Sequence, residues 1–242
     1  MEKTVSEAIS YRRSVRLYKD QKIDDNKVRE CIKNASIAPN SSNLQLWEFY
    51  QVTAQHKLTT LSAACFNQSA AKSAQQMVVF VSRKDLWKKR AHANMNHLNK
   101  GFEGIDLDER LLNRKKQVNA YYSKIIPGIY TEFFGLFGLI KHMVCNAIGL
   151  FKPMYRQTRL SDMRIVAHKS TALAAQNFMI SMAAVGYDTC PMEGFDSKKV
   201  KRILGLPSSA EITMVVSCGL REESGVYGSQ FRVPFDEVYF KM

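Results

Sequence analysis

Apolar residues recur at helical spacing near the start of the chain, where Val5, Ala8 and Ile9 predict a short helix over 3–11. Asp24-Asp25-Asn26 opens a second helix over roughly 25–37, with Val28, Cys31, Ile32 and Ala35 on one face and a stop at Ala38-Pro39. The β-prone runs 47–53 and 77–82 predict strands, with a helical stretch near 55–72 between them. Residues 170–185 are apolar on nearly every face, the mark of a buried central helix, with Ser170 or Thr171 as its cap and Gly186 as its stop. Thr189 to Phe195 reads as a short extended segment, Asp196 caps a basic helix over 197–204, and Ile212 to Cys218 is a buried strand. The tail from Phe231 to Phe240 reads as extended. No internal repeat or low-complexity linker interrupts this order, so the pattern predicts an α+β fold, one domain over 1–242 with one central sheet.

One block breaks the regularity. Over 83–165 the chain is first polar and basic, then strongly apolar from Gly128 to Phe151. A membrane span needs about 20 apolar residues. Glu132 and the pair Lys141-His142 interrupt this run, and a charge at the centre of a span costs at least ~2.5 kcal/mol. A helix or helical pair lying over something apolar fits better than a spanning helix.

Charge sharpens the oddity. The 242 residues carry 35 Lys+Arg against 22 Asp+Glu, a formal net charge of +13. Residues 83–164 hold 16 Lys/Arg and 7 Asp/Glu, so +9 of the +13 lies in that third of the chain. Nucleic acid, an anionic membrane surface and an acidic small molecule are all partners that such charge attracts; no RNA- or DNA-binding signature is present, so nucleic acid is not expected. Five widely spaced cysteines without a C-x-x-C pair suggest neither a disulfide framework nor a zinc site. With no apolar leader at the N-terminus, the expected location is the cytoplasm.

Three clusters carry candidate chemistry. In an extended Arg12-Arg13-Ser14-Val15-Arg16, alternation sets Arg12, Ser14 and Arg16 on one side, where two guanidiniums and a hydroxyl suit a phosphate or another planar anion. The same residues also describe a solvated basic turn. Pro39-Asn40-Ser41-Ser42-Asn43 offers small donors and acceptors to a heterocycle edge, or to its own backbone. Pro191-Met192-Glu193-Gly194 ends in a glycine that lets backbone amides approach a ligand, or makes a plain turn. The chain lacks a nucleophile elbow, a P-loop and a G-x-G-x-x-G motif; His92 and His97, five apart, do not share a helical face, and His142 with Cys145 lacks further ligands, so no metal site is expected. No side chain looks like the engine of a reaction, which points to a cofactor.

The order of these clusters resembles the nitroreductase family of FMN-dependent oxidoreductases. The matching runs are Arg12–Arg16, Ala38–Trp47, Pro191–Phe195 and Phe231–Pro234, covering about 1–82 and 166–240, with 83–165 as an insertion. The resemblance implies a three-layer α+β sandwich with a mostly antiparallel central sheet, a homodimer, and C-terminal arms exchanged between subunits. It implies that Arg12, Ser14 and Arg232 hold the FMN phosphate with Arg13 beside them. Arg16 would lie near the flavin N1–C2 edge, Asn67 at the pyrimidine edge, and the backbone around Pro191, Met192, Glu193 and Gly194 would face N5. Pro39, Asn40, Ser41 and Asn43 would come from the other subunit. Gln230 stands where a second basic residue often helps the phosphate, Ala70 where a Lys often approaches the flavin, and Leu46 replaces a frequent Pro.

The implied activity is ping-pong reduction of a nitroaromatic, quinone or related small-molecule acceptor at the expense of NADH or NADPH. Alternatives are a flavin-dependent dehalogenase-type reductase, or a basic membrane- or anion-binding module on a flavin fold. The insertion reads as a lid with Tyr121, Tyr122, Phe133, Phe134 and Phe137 available to line it; a peripheral membrane contact and additional dimer core are the other readings of the segment.

Overall fold

A computed structural model of the chain describes residues 2–242. It holds four strands, β1 (Trp47–Val52), β2 (Gln76–Ser82), β3 (Asp188–Met192) and β4 (Glu211–Gly219), in one sheet of order β1-β2-β4-β3 with every neighbouring pair antiparallel. The helices are α1 (Val5–Tyr11), α2 (Asp25–Ser36), α3 (Gln55–Ala64), α4 (Ser69–Lys72), α5 (Trp87–Lys100), α6 (Glu109–Ala120), α7 (Ile126–Tyr130), α8 (Leu136–Ile148), α9 (Leu160–Ala184) and α10 (Ser197–Leu204).

Strand β2 explains the layering. All seven of its residues are buried, and alternation sends them to opposite faces. Met77, Val79 and Val81 pack with Leu58, Leu61 and Val200 from α3 and α10. Val78 and Phe80 pack with Val28, Phe178 and Met182 from α2 and α9. A strand covered on both faces reads as a continuous apolar run, which is the Met-Val-Val-Phe-Val pattern of 77–81. Helices on both faces of one antiparallel sheet make the three-layer α+β sandwich.

Some boundaries differ from the sequence pattern. The helical stretch near 55–72 is two helices, because Phe66 and Asn67 both take left-handed φ (57° and 52°) and turn the chain between α3 and α4. The central helix begins ten residues earlier than the apolar pattern, at Leu160, after Arg159 and Asp162 form its cap. Ser170 and Thr171 are therefore mid-helix, their hydroxyls returned to the carbonyls of Val166 and Ala167. The tail after Gly225 has no strand; it is irregular and exposed save for one short 3-10 turn at Phe235–Glu237.

The insertion is helical. α5 and α6 carry the basic part, a π-helical turn at Tyr121–Ile125 leads into α7, and Gly135 (φ 83°) separates α7 from α8. A third cluster, with Leu44, Leu46, Ala91, Ile126, Tyr130, Met163 and Ala167 buried together, joins this block to α9 and to the loop before β1. No helix among the described residues is long and apolar enough to cross a membrane.

Candidate functional site

The segment after α1 is fixed on two sides. Ser14 bridges Thr189 of β3, and Val15 N donates to Thr189 O at 3.1 Å while the Val15 side chain is fully buried. On the other side Arg16 N donates to Gly225 O at 2.6 Å. Gly225 must lack a side chain there, since a Cβ would lie 2.5 Å from Leu17 O. Arg221 anchors the start of the segment: it bonds the buried Asp188 through Nε (2.8 Å) and Nη2 (2.5 Å), reaches Tyr11 O, and lies over the Tyr11 ring. With Val15 turned inward, its neighbours Ser14 and Arg16 are turned out.

What they face is a cavity of about 610 Å³, lined by Arg12, Arg13, Ser14, Arg16, Gln68, Ser69, Ala70, Tyr227, Gln230, Phe231 and Arg232 among others. Its size lies in the range of small-molecule sites. Arg13, which strict alternation sets on the opposite side, also reaches it, donating to Gly228 O at 3.2 Å. Arg232 Nη1 donates to Phe231 O at 2.6 Å. No carboxylate lines the cavity, and among the described residues none of these four arginines forms an ion pair. Their field reaches the layer beneath: burial pushes the Cys190 thiol pKa up, while Arg16 and Arg12 pull it back. Four uncompensated guanidiniums with a hydroxyl and an amide form a donor set for a phosphate, which accepts from several directions.

The other expected residues fall in two places. Gly194 stands at the end of β3 and is tied to the cavity wall by Gln68, whose Nε2 donates to Gly194 O at 2.7 Å. A Cβ on Gly194 would meet that nitrogen at 3.2 Å. Glu193 and Asn67 are exposed nearby in sequence, Pro191 is half-buried in β3, and the Met192 side chain is spent on the core. Pro39, Asn40, Ser41 and Asn43 do not line the arginine cavity. They form a separate strained loop, in which Ser42, Asn43 and Gln45 all have positive φ. Asn40 Oδ1 accepts from Gln45 N (2.8 Å), and Asn43 is held by Asn94 of α5. The insertion rests on this loop: Tyr121 OH lies 2.7 Å from Ser42 Oγ, and Tyr122 OH donates to Ser42 O at 3.1 Å.

Sequence reasoning missed Gln68, Ser69, Tyr227 and Asn94. Gln68 and Ser69 follow the left-handed turn at Phe66-Asn67, and that turn was the missing signal. Asn94 is 9% exposed on an otherwise polar, basic helix, and a buried amide in such a helix has a partner to find.

The fold and the cavity together define a class: an α+β sandwich whose sheet end and C-terminal segment enclose a cationic cavity of small-molecule size. The model of the nitroreductase family matches residues 9–220. The chain belongs to that family and is an oxidoreductase. It is 26% identical over 218 residues to protein DrgA of Synechocystis, covering 90% of this chain and 84% of that protein. It is 27% identical over 227 residues to the NADH dehydrogenase of Thermus thermophilus, covering 94% of this chain and 90% of that protein. A protein of Exiguobacterium sibiricum solved in complex with FMN has the same fold, with a TM-score of 0.68 at 20% identity over 99% of this chain and 98% of that one.

Proposed function

We propose that the chain is an NAD(P)H-oxidising reductase of small acceptors, with FMN held in the arginine cavity. The observation that carries this reading is the cavity itself: Arg12, Arg13, Arg16 and Arg232 converge with Ser14 where no carboxylate offsets them. When bound, FMN supplies an atom that takes a hydride from NADH or NADPH and gives electrons to a nitroaromatic, a quinone or a related acceptor, the two substrates alternating in a ping-pong sequence.

The residues divide the work of holding and tuning. Arg12, Ser14 and Arg232 take the phosphate, with Arg13 and Gln230 beside it. Arg16, fixed through its backbone to Gly225, brings a cation to the pyrimidine side, where it favours negative charge on the ring. Gln68, bonded to Gly194, holds the Glu193-Gly194 backbone open to a ligand, with Asn67 adjacent. None of these groups is required to donate or abstract a proton.

The loop Pro39–Asn43 belongs to a second half-site. One chain carries the arginine cavity in one place and this polar, strained loop in another, so a two-fold pair of chains lets each half complete the other. The exposed tail from residue 226 onward, with Phe231, Phe235 and Phe240 all more than two-thirds exposed, fits an arm laid on such a partner. The insertion, carried on the loop through Tyr121 and Tyr122, then acts as a lid on the partner's cavity. We assign the lid contacts to Tyr121 and Tyr122; Phe133, Phe134 and Phe137 cluster with one another and are exposed in the single chain.

The test is spectroscopic. Purified protein is expected to be yellow, with flavin absorbance near ~450 nm that bleaches anaerobically on adding NADH or NADPH and returns on adding a quinone or nitroaromatic. Protein that stays colourless when FMN is added would overturn the proposal.

A further inference from the structure

Helix α8 is inside out. At about 100° per residue, Leu136, Phe137, Leu139, Ile140, Met143 and Val144 occupy an arc of about 160°, and all six are exposed. The polar residues point the other way, into the protein. Lys141 Nζ donates to the carbonyls of Gly128, Ile129 and Thr131 and pairs with Glu132. His142 bonds Arg156 O and Asn146. A helix on the surface of a protein in water turns its apolar face to the core; α8 turns it to solvent. Phe134, 96% exposed, extends the face before the helix, and Phe151, 90% exposed, extends it beyond. A continuous apolar surface of this extent marks a contact site.

The charge around the face selects its occupant. From Arg110 to Ser161 the chain carries nine Lys/Arg and one acidic residue, and that residue, Glu132, is turned inward onto Lys141. Lys124, Lys152, Arg156 and Arg159 are exposed beside the apolar run. Two copies of this chain meeting face to face through α8 would bring these cationic segments together with no carboxylate of the segment free to offset them. An apolar face with aromatic ends and a cationic surround instead matches a lipid surface of negative charge, where rings and aliphatic side chains enter the headgroup–acyl boundary and Lys and Arg meet phosphates.

We propose that α8, with Phe134 and Phe151, docks this protein peripherally on anionic bilayers, lying in the interface rather than crossing it. No residue of this face lines the arginine cavity of the same chain, so docking and flavin binding are read separately. The inference does not depend on the acceptor.

The experiment is co-sedimentation of the full-length, FMN-loaded protein with vesicles of phosphatidylcholine alone and with one-third phosphatidylglycerol. The expected result is binding to the anionic vesicles, at least ten-fold stronger than to the neutral ones and weakened by raising salt from 0.1 to 0.5 M. The variant F134S/I140S/M143S/F151S is expected to lose at least ten-fold in vesicle binding while its flavin spectrum is unchanged. A second variant, K152E/R156E, keeps the apolar face and is expected to lose the preference for anionic vesicles. Wild-type protein that binds neither vesicle overturns the proposal. If the serine variant also falls to a smaller species in analytical ultracentrifugation, the face is an interface between copies of the chain and the proposal fails. Equal binding to both vesicle types refutes the electrostatic part.

Discussion

Asn43 and Asn94 exchange a reciprocal pair of hydrogen bonds: Asn43 Nδ2 donates to Asn94 Oδ1 at 2.7 Å, and Asn94 Nδ2 returns to Asn43 O at 2.8 Å. The pair joins α5, the first helix of the insertion, to a residue whose φ is 50°. A left-handed asparagine is held by what surrounds it, and here the holder is an element that the matching family motifs do not include.

Asn94→Ala removes the partner of Asn43 Nδ2 and leaves Asn43 O with only the longer bond from Gln45 Nε2 (3.4 Å). The expected cost is about 1–3 kcal/mol, seen as a fall in Tm of about 2–4 °C per kcal/mol for a chain of this size. On the proposed assignment of this loop to a second half-site, FMN affinity is expected to fall as well. Differential scanning fluorimetry with and without FMN measures both, and an unchanged Tm in both states would contradict the role given to the pair.

Acid is expected to loosen the edge where α9 meets β4. Glu211 is partly buried, which pushes its pKa up, but hydrogen bonds from His168 and Arg164 outweigh this and hold the carboxyl below its ordinary value. Asp85 is likewise held down against burial by Arg83 and Ser209. A carboxylate with a depressed folded-state pKa contributes stability above its unfolded pKa and loses it as pH falls through the folded value. The Tm is therefore expected to drop on acidification below about pH 4.5. Glu211→Gln should begin lower at neutral pH and fall less steeply, and parallel curves for the two proteins would contradict the assignment.

The cysteines give an independent measure of the core. Cys31, Cys65, Cys190 and Cys218 are buried and only Cys145 is partly open. Burial raises the Cys31 and Cys65 thiols to about 11 and pushes Cys190 and Cys218 up as well. Thiolates, not thiols, react. Ellman's reagent is expected to titrate at most one thiol rapidly in the native protein and all five after denaturation. Two or more fast thiols in the folded state would contradict this packing.

The sheet and its two helical faces were legible because burial writes itself into period: the unbroken run in β2 and the one-sided pattern of α2 both follow from what covers them. The start of α9 was not, since between Arg159 and His168 the apolar residues are mixed with Asp162 and Arg164, and Met163 and Ala167 are buried against the insertion, so the all-round apolar pattern of 170–185 does not extend there. The left-handed pair Phe66-Asn67 was equally hidden, as neither residue is glycine. For the site, the Arg12–Arg16 run indicated an anion cavity, while Gln68 and Tyr227 join it only through tertiary folding. In α8 the sequence shows an apolar face; which way it points follows from Lys141 and His142 turning inward, which only the packing reveals.

FMN titration of the apo-protein, comparing wild type with Arg12→Ala/Arg232→Ala, addresses the arginine cavity most directly. Charge-assisted contacts contribute about 1.5–3 kcal/mol each, so losing two is expected to weaken binding by about 100-fold or more, with Tm in the absence of FMN nearly unchanged. FMN binding at wild-type affinity in the double variant would show that the phosphate is held elsewhere.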